Sequence, residues 1–238
     1  GITYLGYDRN LDMRVAIKEY FPAEFATRNE DGISVMPLTG QYKELFNEGK
    51  NSFIREARLL ATFRSPNIIT IRQFFEANNT GYFVMEYIDG ASTEDLLKKT
   101  ERFSIPRSLG IAIQVCEGLK KAAEIGIIHR DIKPENILFE TQEEDAPIKL
   151  IDFGLSRRHV QGMEPNLSNP VGSAYYMSPE LLKRNYSAPT DIWSTGILTY
   201  ILLCGYAPFN GEDNSEIFDA ISRGHFDFPE RRWMDKSP

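Results

Sequence analysis

The chain has 238 residues, 42% of them hydrophobic and 26% charged, which suits one large domain or two small ones. That excludes a disulfide-stapled mini-protein and an intrinsically disordered chain. With 27 basic against 34 acidic residues the formal charge is −7, so no general nucleic-acid-binding surface is expected. Cys116 and Cys204 lack the spacing of a zinc site or a disulfide framework and fit a reducing, cytoplasmic setting. The longest apolar stretch, around 197–205, is about half a bilayer span, so no membrane segment is expected. No signal peptide is visible at the N-terminus.

In chain order, 2–7 and 13–20 read as strands around a turn at Asp8–Asp12. Residues 19–41, punctuated by Pro22, Gly32, Pro37 and Gly40, read as an irregular insertion. Phe53, Ala57 and Leu60 recur at helical spacing within a helix over 42–63. A second strand pair, 68–76 and 81–87, turns at Asn78–Gly81, and Asp89-Gly90 then breaks the pattern. From there the chain becomes mainly helical. Ser104-Ile105-Pro106 opens a long helix to about Glu124. Short strands near 136–139 and 148–151 flank an acidic turn, and helices are predicted at 178–183, 189–204 and 213–223. Glu140, Glu143, Glu144 and Asp145 in that turn lack EF-hand spacing and read as a solvated loop, not a metal site.

The strongest chemical signal is His129-Arg130-Asp131-Ile132-Lys133-Pro134-Glu135-Asn136, followed by Asp152-Phe153-Gly154. Seven specified positions would arise by chance about once in 10⁹ starting points. On these residues the chain resembles the eukaryotic-type Ser/Thr protein kinase family over essentially its whole length. Further landmarks follow in the family's order. They are Val15-Ala16-Ile17-Lys18, Glu56 on the first long helix, Gly172-Ser173, Ser178-Pro179-Glu180 and Asp191-Ile192-Trp193-Ser194-Thr195-Gly196. The insertion beginning Glu19-Tyr20-Phe21-Pro22 is similar to bacterial Ser/Thr kinases. Residues 152–228 are similar to calmodulin- and calcium-dependent kinases, although the chain contains no EF-hand loop.

The resemblance implies an α+β, bilobal fold, with a small antiparallel-sheet lobe (1–85), a hinge (86–90) and a larger helical lobe (91–238). It also implies a kinase domain trimmed at both ends. Gly1 would be the last glycine of the phosphate-covering loop, with Thr3 after it, and the chain would stop before the last helices of the large lobe. ATP and Mg²⁺ are the implied cofactors, and protein substrates the implied partners, with a regulatory partner left open. Strand alternation puts Ala16 and Lys18 on one face, suiting adenine near Ala16 and phosphates at Lys18. Glu56, on the apolar face of its helix, needs a cationic partner, and Lys18 is the candidate. Asp131 would orient the substrate hydroxyl and accept its proton, Lys133 would neutralise the transferring phosphate, and Asn136 and Asp152 would hold Mg²⁺. Lysine two residues after the aspartate is the Ser/Thr form of this loop. Met85 matches the gatekeeper, Glu86-Tyr87-Ile88 the adenine-binding hinge, and Leu138 completes the nucleotide set. Leu60, Ile71, His129 and Phe153 match the hydrophobic spine, which makes His129 a packed core histidine, not a base.

The stretch from Asp152 to Glu180 would be the activation segment. There Ser173 would bridge Asp131 and Lys133, and a phosphate on Ser168, beside Asn169, would pair with Arg130. Two readings compete with the enzyme. A pseudokinase scaffold would have lost one of Lys18, Glu56, Asp131, Asn136 and Asp152, all of which are present. A kinase-like small-molecule phosphotransferase would lack Lys-Pro-Glu in the loop and the Ser-Pro-Glu segment.

Overall fold

A computed structural model describes residues 1–62, 64–143, 145–153, 174–183 and 189–233. The expected roles of Gly154, Ser168, Asn169, Gly172 and Ser173 therefore lie outside the described residues. The chain divides into two units, Gly1–Ile88 and Asp89–Pro238.

The first unit runs β1 (Ile2–Asp8), β2 (Met13–Glu19), β3 (Ala26–Arg28), β4 (Val35–Pro37), α1 (Lys43–Leu60), β5 (Ile71–Ala77) and β6 (Thr80–Glu86). Four strands make an antiparallel sheet in the order β1-β2-β6-β5. Its turns are chemically specified. Asp8 Oδ1 accepts the Asn10 and Leu11 N–H groups at 2.9 and 3.1 Å, closing β1 onto β2. Asn78 and Asn79 both adopt left-handed backbone, with φ 51° and 58°, as a two-residue hairpin requires.

Register decides which side chains share a face. Lys18 lies opposite Thr3 and Phe83, and Ala16 opposite Leu5 and Met85. α1 covers this face with Phe46, Phe53, Ile54, Ala57 and Leu60. Phe53 stacks on Phe83 with centroids 4.7 Å apart, and a Cβ on Gly81 would meet Ile54 at 2.8 Å.

The opposite face corrects one expectation. Residues 19–41 are not irregular, because β3 and β4 pair as a hairpin inside them. The hairpin is held by tertiary contacts that no local pattern announces. The Val35 N–H donates to the Asn78 carbonyl at 2.9 Å, and Asn79 Nδ2 donates to the Val35 carbonyl at 2.8 Å. Arg28 of β3 donates to Glu19 Oε1 at 2.8 Å and forms an ion pair with Oε2. Glu19 is only 1% exposed, and it also accepts from Tyr4 and Tyr82 at 2.8 and 2.6 Å. A buried carboxylate survives as a charge only when its lone pairs are filled, and here all the donors are supplied.

The second unit runs α2 (Thr93–Thr100), α3 (Ile105–Glu124), β7 (Ile137–Phe139), β8 (Ile148–Leu150), α4 (Pro179–Leu182), α5 (Pro189–Cys204), α6 (Asn214–Arg223) and α7 (Glu230–Trp233). α2 and α7 add to the predicted helices. Ser92 caps α2 by accepting the Asp95 N–H at 3.0 Å. Asp213 does the same for α6 through Glu216 N–H at 3.0 Å, and left-handed Gly224 ends that helix. α3 packs on α5 and β8. Residues buried along α5 include Thr190, Ser194, Leu198 and Leu202, so it forms the unit's central helix. No helix among the described residues is long and apolar enough to cross a membrane.

Two outcomes follow from this packing. A Cβ at Gly90 would sit 1.7 Å from the Phe139 carbonyl oxygen, a rigid backbone atom, so Gly90→Ala should cost about 3 kcal/mol in urea unfolding. Burial pushes the Glu19 carboxyl up, but hydrogen bonds from Arg28, Tyr82 and Tyr4 outweigh it and hold the group below its usual range. Its stabilisation is therefore complete above the unfolded value of about 4.3 and is lost as pH falls through the lower folded value. Unfolding of Glu19→Gln against the parent should show the largest stability gap at neutral pH, shrinking below about pH 4.3.

Candidate functional site

The second unit gathers the predicted catalytic residues around the turn between α3 and β7. Asn136 Nδ2 donates to both Asp131 Oδ2 and the Asp131 carbonyl, at 2.8 Å each. Lys133 Nζ lies 2.9 Å from the same Oδ2. Asp131 thus carries a fixed orientation, set by an amide and an ammonium, while its carboxylate stays partly exposed. Asn136 is placed by the short 3₁₀ turn Pro134–Asn136, where Pro134 pre-sets the first φ. Because its Nδ2 is committed to Asp131, its Oδ1 is the atom turned elsewhere.

Asp152 is brought to this turn through its neighbour. Ile151 N–H donates to the Asn136 carbonyl at 3.0 Å, and the Ile151 carbonyl is 3.0 Å from His129 Nε2. Asp152 itself has left-handed backbone, φ 61°. Phe153 follows, its ring 4.4 Å from that of His129.

His129 is fully buried, and the Asp131 N–H donates to its Nδ1 at 3.3 Å. Nε2 must then carry the proton that the Ile151 carbonyl accepts. Burial pushes the His129 pKa down despite nearby Asp191, Asp131 and Asp152, so the ring is a neutral structural bridge.

Asp191 was legible as a motif residue but not as a member of this site. Its Oδ2 accepts the His129 N–H and its Oδ1 the Arg130 N–H, both at 2.7 Å. These bonds reach across more than sixty residues from the first turn of α5 and grip the loop where Arg130 adopts φ 67°. The sequence marked Asp191 as a motif residue near the start of a helix, and nothing local to it pointed to the 129–130 backbone.

In the first unit, the nucleotide-binding candidates Thr3, Ala16, Lys18 and Met85 share the sheet face covered by α1. Lys18 is buried, 8% exposed. Phe83, opposite Lys18, stacks on Phe53, and Glu56 lies one helical turn beyond Phe53. Gly1 backs onto β2, since a Cβ there would meet the Glu19 carbonyl at 2.7 Å. Glu86 is pinned at both ends: its N–H donates to the Thr70 carbonyl at 3.0 Å, and its Oε1 accepts from Thr70 N–H at 2.8 Å. Ile88 is half-buried at the end of this unit, and Leu138 belongs to the second, paired with Lys149 and bridged to Ser92.

Asp191→Ala would strand the buried His129 N–H, at about 1–3 kcal/mol, and the part-buried Arg130 N–H at less. The expected outcome is a fall in urea midpoint together with lost order of the 129–136 loop, read by hydrogen exchange.

The protein kinase domain family matches this chain from residue 26 to residue 237. The match begins inside the insertion, which separates Lys18 from the rest of the pattern. Over 179 residues the chain is 39% identical to calcium-dependent protein kinase 5 of Plasmodium falciparum, covering 75% of this chain and 31% of that protein. It is 40% identical over 174 residues to calcium-dependent protein kinase 13 of Arabidopsis thaliana, covering 73% and 33%. Against calcium-dependent protein kinase 1 of Oryza sativa subsp. japonica it is 40% identical over 167 residues, covering 70% and 32%. The chain spans about a third of the length of these relatives. A sheet-rich unit, a mainly helical unit and an aspartate–lysine–asparagine loop tied to a helix-opening aspartate accord with that match, and the chain belongs to the protein kinase domain family.

Proposed function

We propose that this chain transfers the terminal phosphoryl group of ATP to serine or threonine hydroxyls of proteins. The observation that carries the reading is the Asp131 carboxylate held by Asn136 at 2.8 Å and Lys133 at 2.9 Å. Phosphoryl transfer asks for positioning and charge stabilisation more than for covalent chemistry, and this cluster supplies both.

Asp131 aims the acceptor hydroxyl and takes its proton as the bond to phosphorus forms. Lys133, already beside Asp131, is placed to offset charge on the moving phosphoryl group. Lys18 binds the nucleotide phosphates, and its pairing with Glu56 makes the position of α1 part of the active geometry. Thr3, Ala16, Met85, the 86–88 backbone and Leu138 hold the nucleotide. The donor set fits Mg²⁺: Asp152 and the Oδ1 of Asn136 are hard oxygens, few in number, as suits a cation bound mainly through phosphates. Bound there, Mg²⁺ would screen the phosphate charge.

Both cysteines are free, which supports a reducing, cytoplasmic setting. The relatives' names include calcium. No EF-hand pattern stands in these 238 residues, so a calcium response would enter through a separate regulatory segment or partner.

The test is transfer of labelled phosphate from MgATP to a generic protein substrate. Asp131→Asn should lower kcat by about 10²–10⁴ while nucleotide binding persists. Lys18→Met should weaken transfer to a similar degree. Equal turnover by parent and Asp131→Asn would overturn the assignment. Phosphate appearing on tyrosine alone would overturn the serine/threonine specificity.

A further inference from the structure

Lys18 and Glu19 end β2 on opposite sides of the sheet, and Tyr20 follows directly after the strand. Glu19 anchors the hairpin on one face of the sheet. Tyr20 does different work. Its backbone is fixed to β6, with its N–H donating to the Gly81 carbonyl at 2.9 Å and its carbonyl accepting from Thr80 Oγ1. Its ring is buried against α1, with centroids 5.4 Å from Phe46 and 5.7 Å from Phe53.

The tip of that ring reaches the bare backbone of Gly49, between those two phenylalanines. A Cβ at Gly49 would lie 2.0 Å from Tyr20 Oη, 2.9 Å from Cζ and 3.4 Å from Cε2. Phe46, Gly49 and Phe53 form one stripe at helical spacing, and Glu56 is the next position along it. Glycine inside a helix is less stable than alanine, so this position is explained by the side chain that must enter there. The far end of the insertion feeds straight into α1, with the Phe25 and Tyr42 rings 5.9 Å apart.

We propose that Tyr20, seated on Gly49, is a positioning residue for phosphoryl transfer: it fixes α1, and with it Glu56, against the strand that carries Lys18. The insertion is then part of the machinery that keeps the helix engaged from within the unit. The catalytic consequence rests on Lys18 and Glu56 acting as the pair proposed above.

The experiment compares the purified protein with Gly49→Ala, Tyr20→Ala and the double variant Gly49→Ala/Tyr20→Phe. Each is read by kcat, by KM for ATP and protein substrate, and by hydrogen exchange of α1 amides. Gly49→Ala should lower kcat by about tenfold to a hundredfold, with protein-substrate KM within roughly twofold, and speed exchange over 43–60. Tyr20→Ala, which removes the wedge without a clash, should do the same. The double variant loses the atom at 2.0 Å and should recover much of the loss.

Helix propensity alone predicts the opposite sign for Gly49→Ala, with slower α1 exchange and unchanged kcat, and that result overturns the proposal. So does a double variant no better than Gly49→Ala, or a Tyr20→Ala that keeps full kcat. If the unmodified protein transfers no phosphate, the kinase reading falls, and α1 exchange in the three variants decides whether Tyr20 sets the helix.

Discussion

One carboxylate sets the geometry of the second unit. Asp191 accepts two backbone N–H groups, from His129 and Arg130, at 2.7 Å each. Hydrogen bonds to a charged acceptor are worth about 1.5–3 kcal/mol apiece, enough to offset the cost of left-handed Arg130, which is of order 1–3 kcal/mol. That grip fixes the backbone immediately before Asp131, whose carboxylate is then oriented by Asn136 and Lys133. With it, the residues between Arg130 and Asn136 become a short rigid arc whose polar ends meet: Asn136 returns to Asp131, and Lys133 joins them. The backbone order comes first and the side-chain constellation follows from it.

His129 extends that order to Asp152. One ring nitrogen accepts from the loop and the other donates to the carbonyl just before Asp152. A neutral imidazole alone can do both, since a protonated ring has no acceptor left. Burial depresses its pKa and keeps the ring in the form the bridge needs. The histidine therefore ties the backbone of Asp131 to the residue just before Asp152, and its buried neutral ring is structural.

How much of this was legible in the sequence depended on how local the cause was. The run from His129 to Asn136 announced itself because its polar residues serve one turn at fixed spacing. The long helices over 43–60 and 105–124 followed from apolar periodicity and a proline start. The hairpin at 26–37 was hidden because its strands are three residues each and Pro22, Gly32 and Pro37 dominate the local signal. Its stability comes from Glu19, Asn78 and Asn79, which no window of neighbouring residues contains. α2 was missed although Ser92 and Asp95 stand at capping spacing, a signal that was readable. Asp191 was visible as a letter in a motif, but its contacts with a loop about sixty residues upstream are tertiary.

The first unit shows why strand geometry suits the task. Helical spacing would scatter three consecutive residues around a cylinder, whereas a strand sends them to opposite sides of a surface. β2 uses this to place a buried cation on one face and a buried anion on the other, one residue apart. The anion binds the insertion through Arg28, and Tyr20 closes on α1. The two sides of the sheet are thereby coupled through adjacent backbone atoms, and shifting the register of β2 by one residue would exchange Lys18 with Glu19 and destroy both arrangements at once. Register is therefore the quantity under constraint, and the four donor contacts to Glu19 from Tyr4, Tyr82 and Arg28 defend it as directly as any contact made by Lys18 itself.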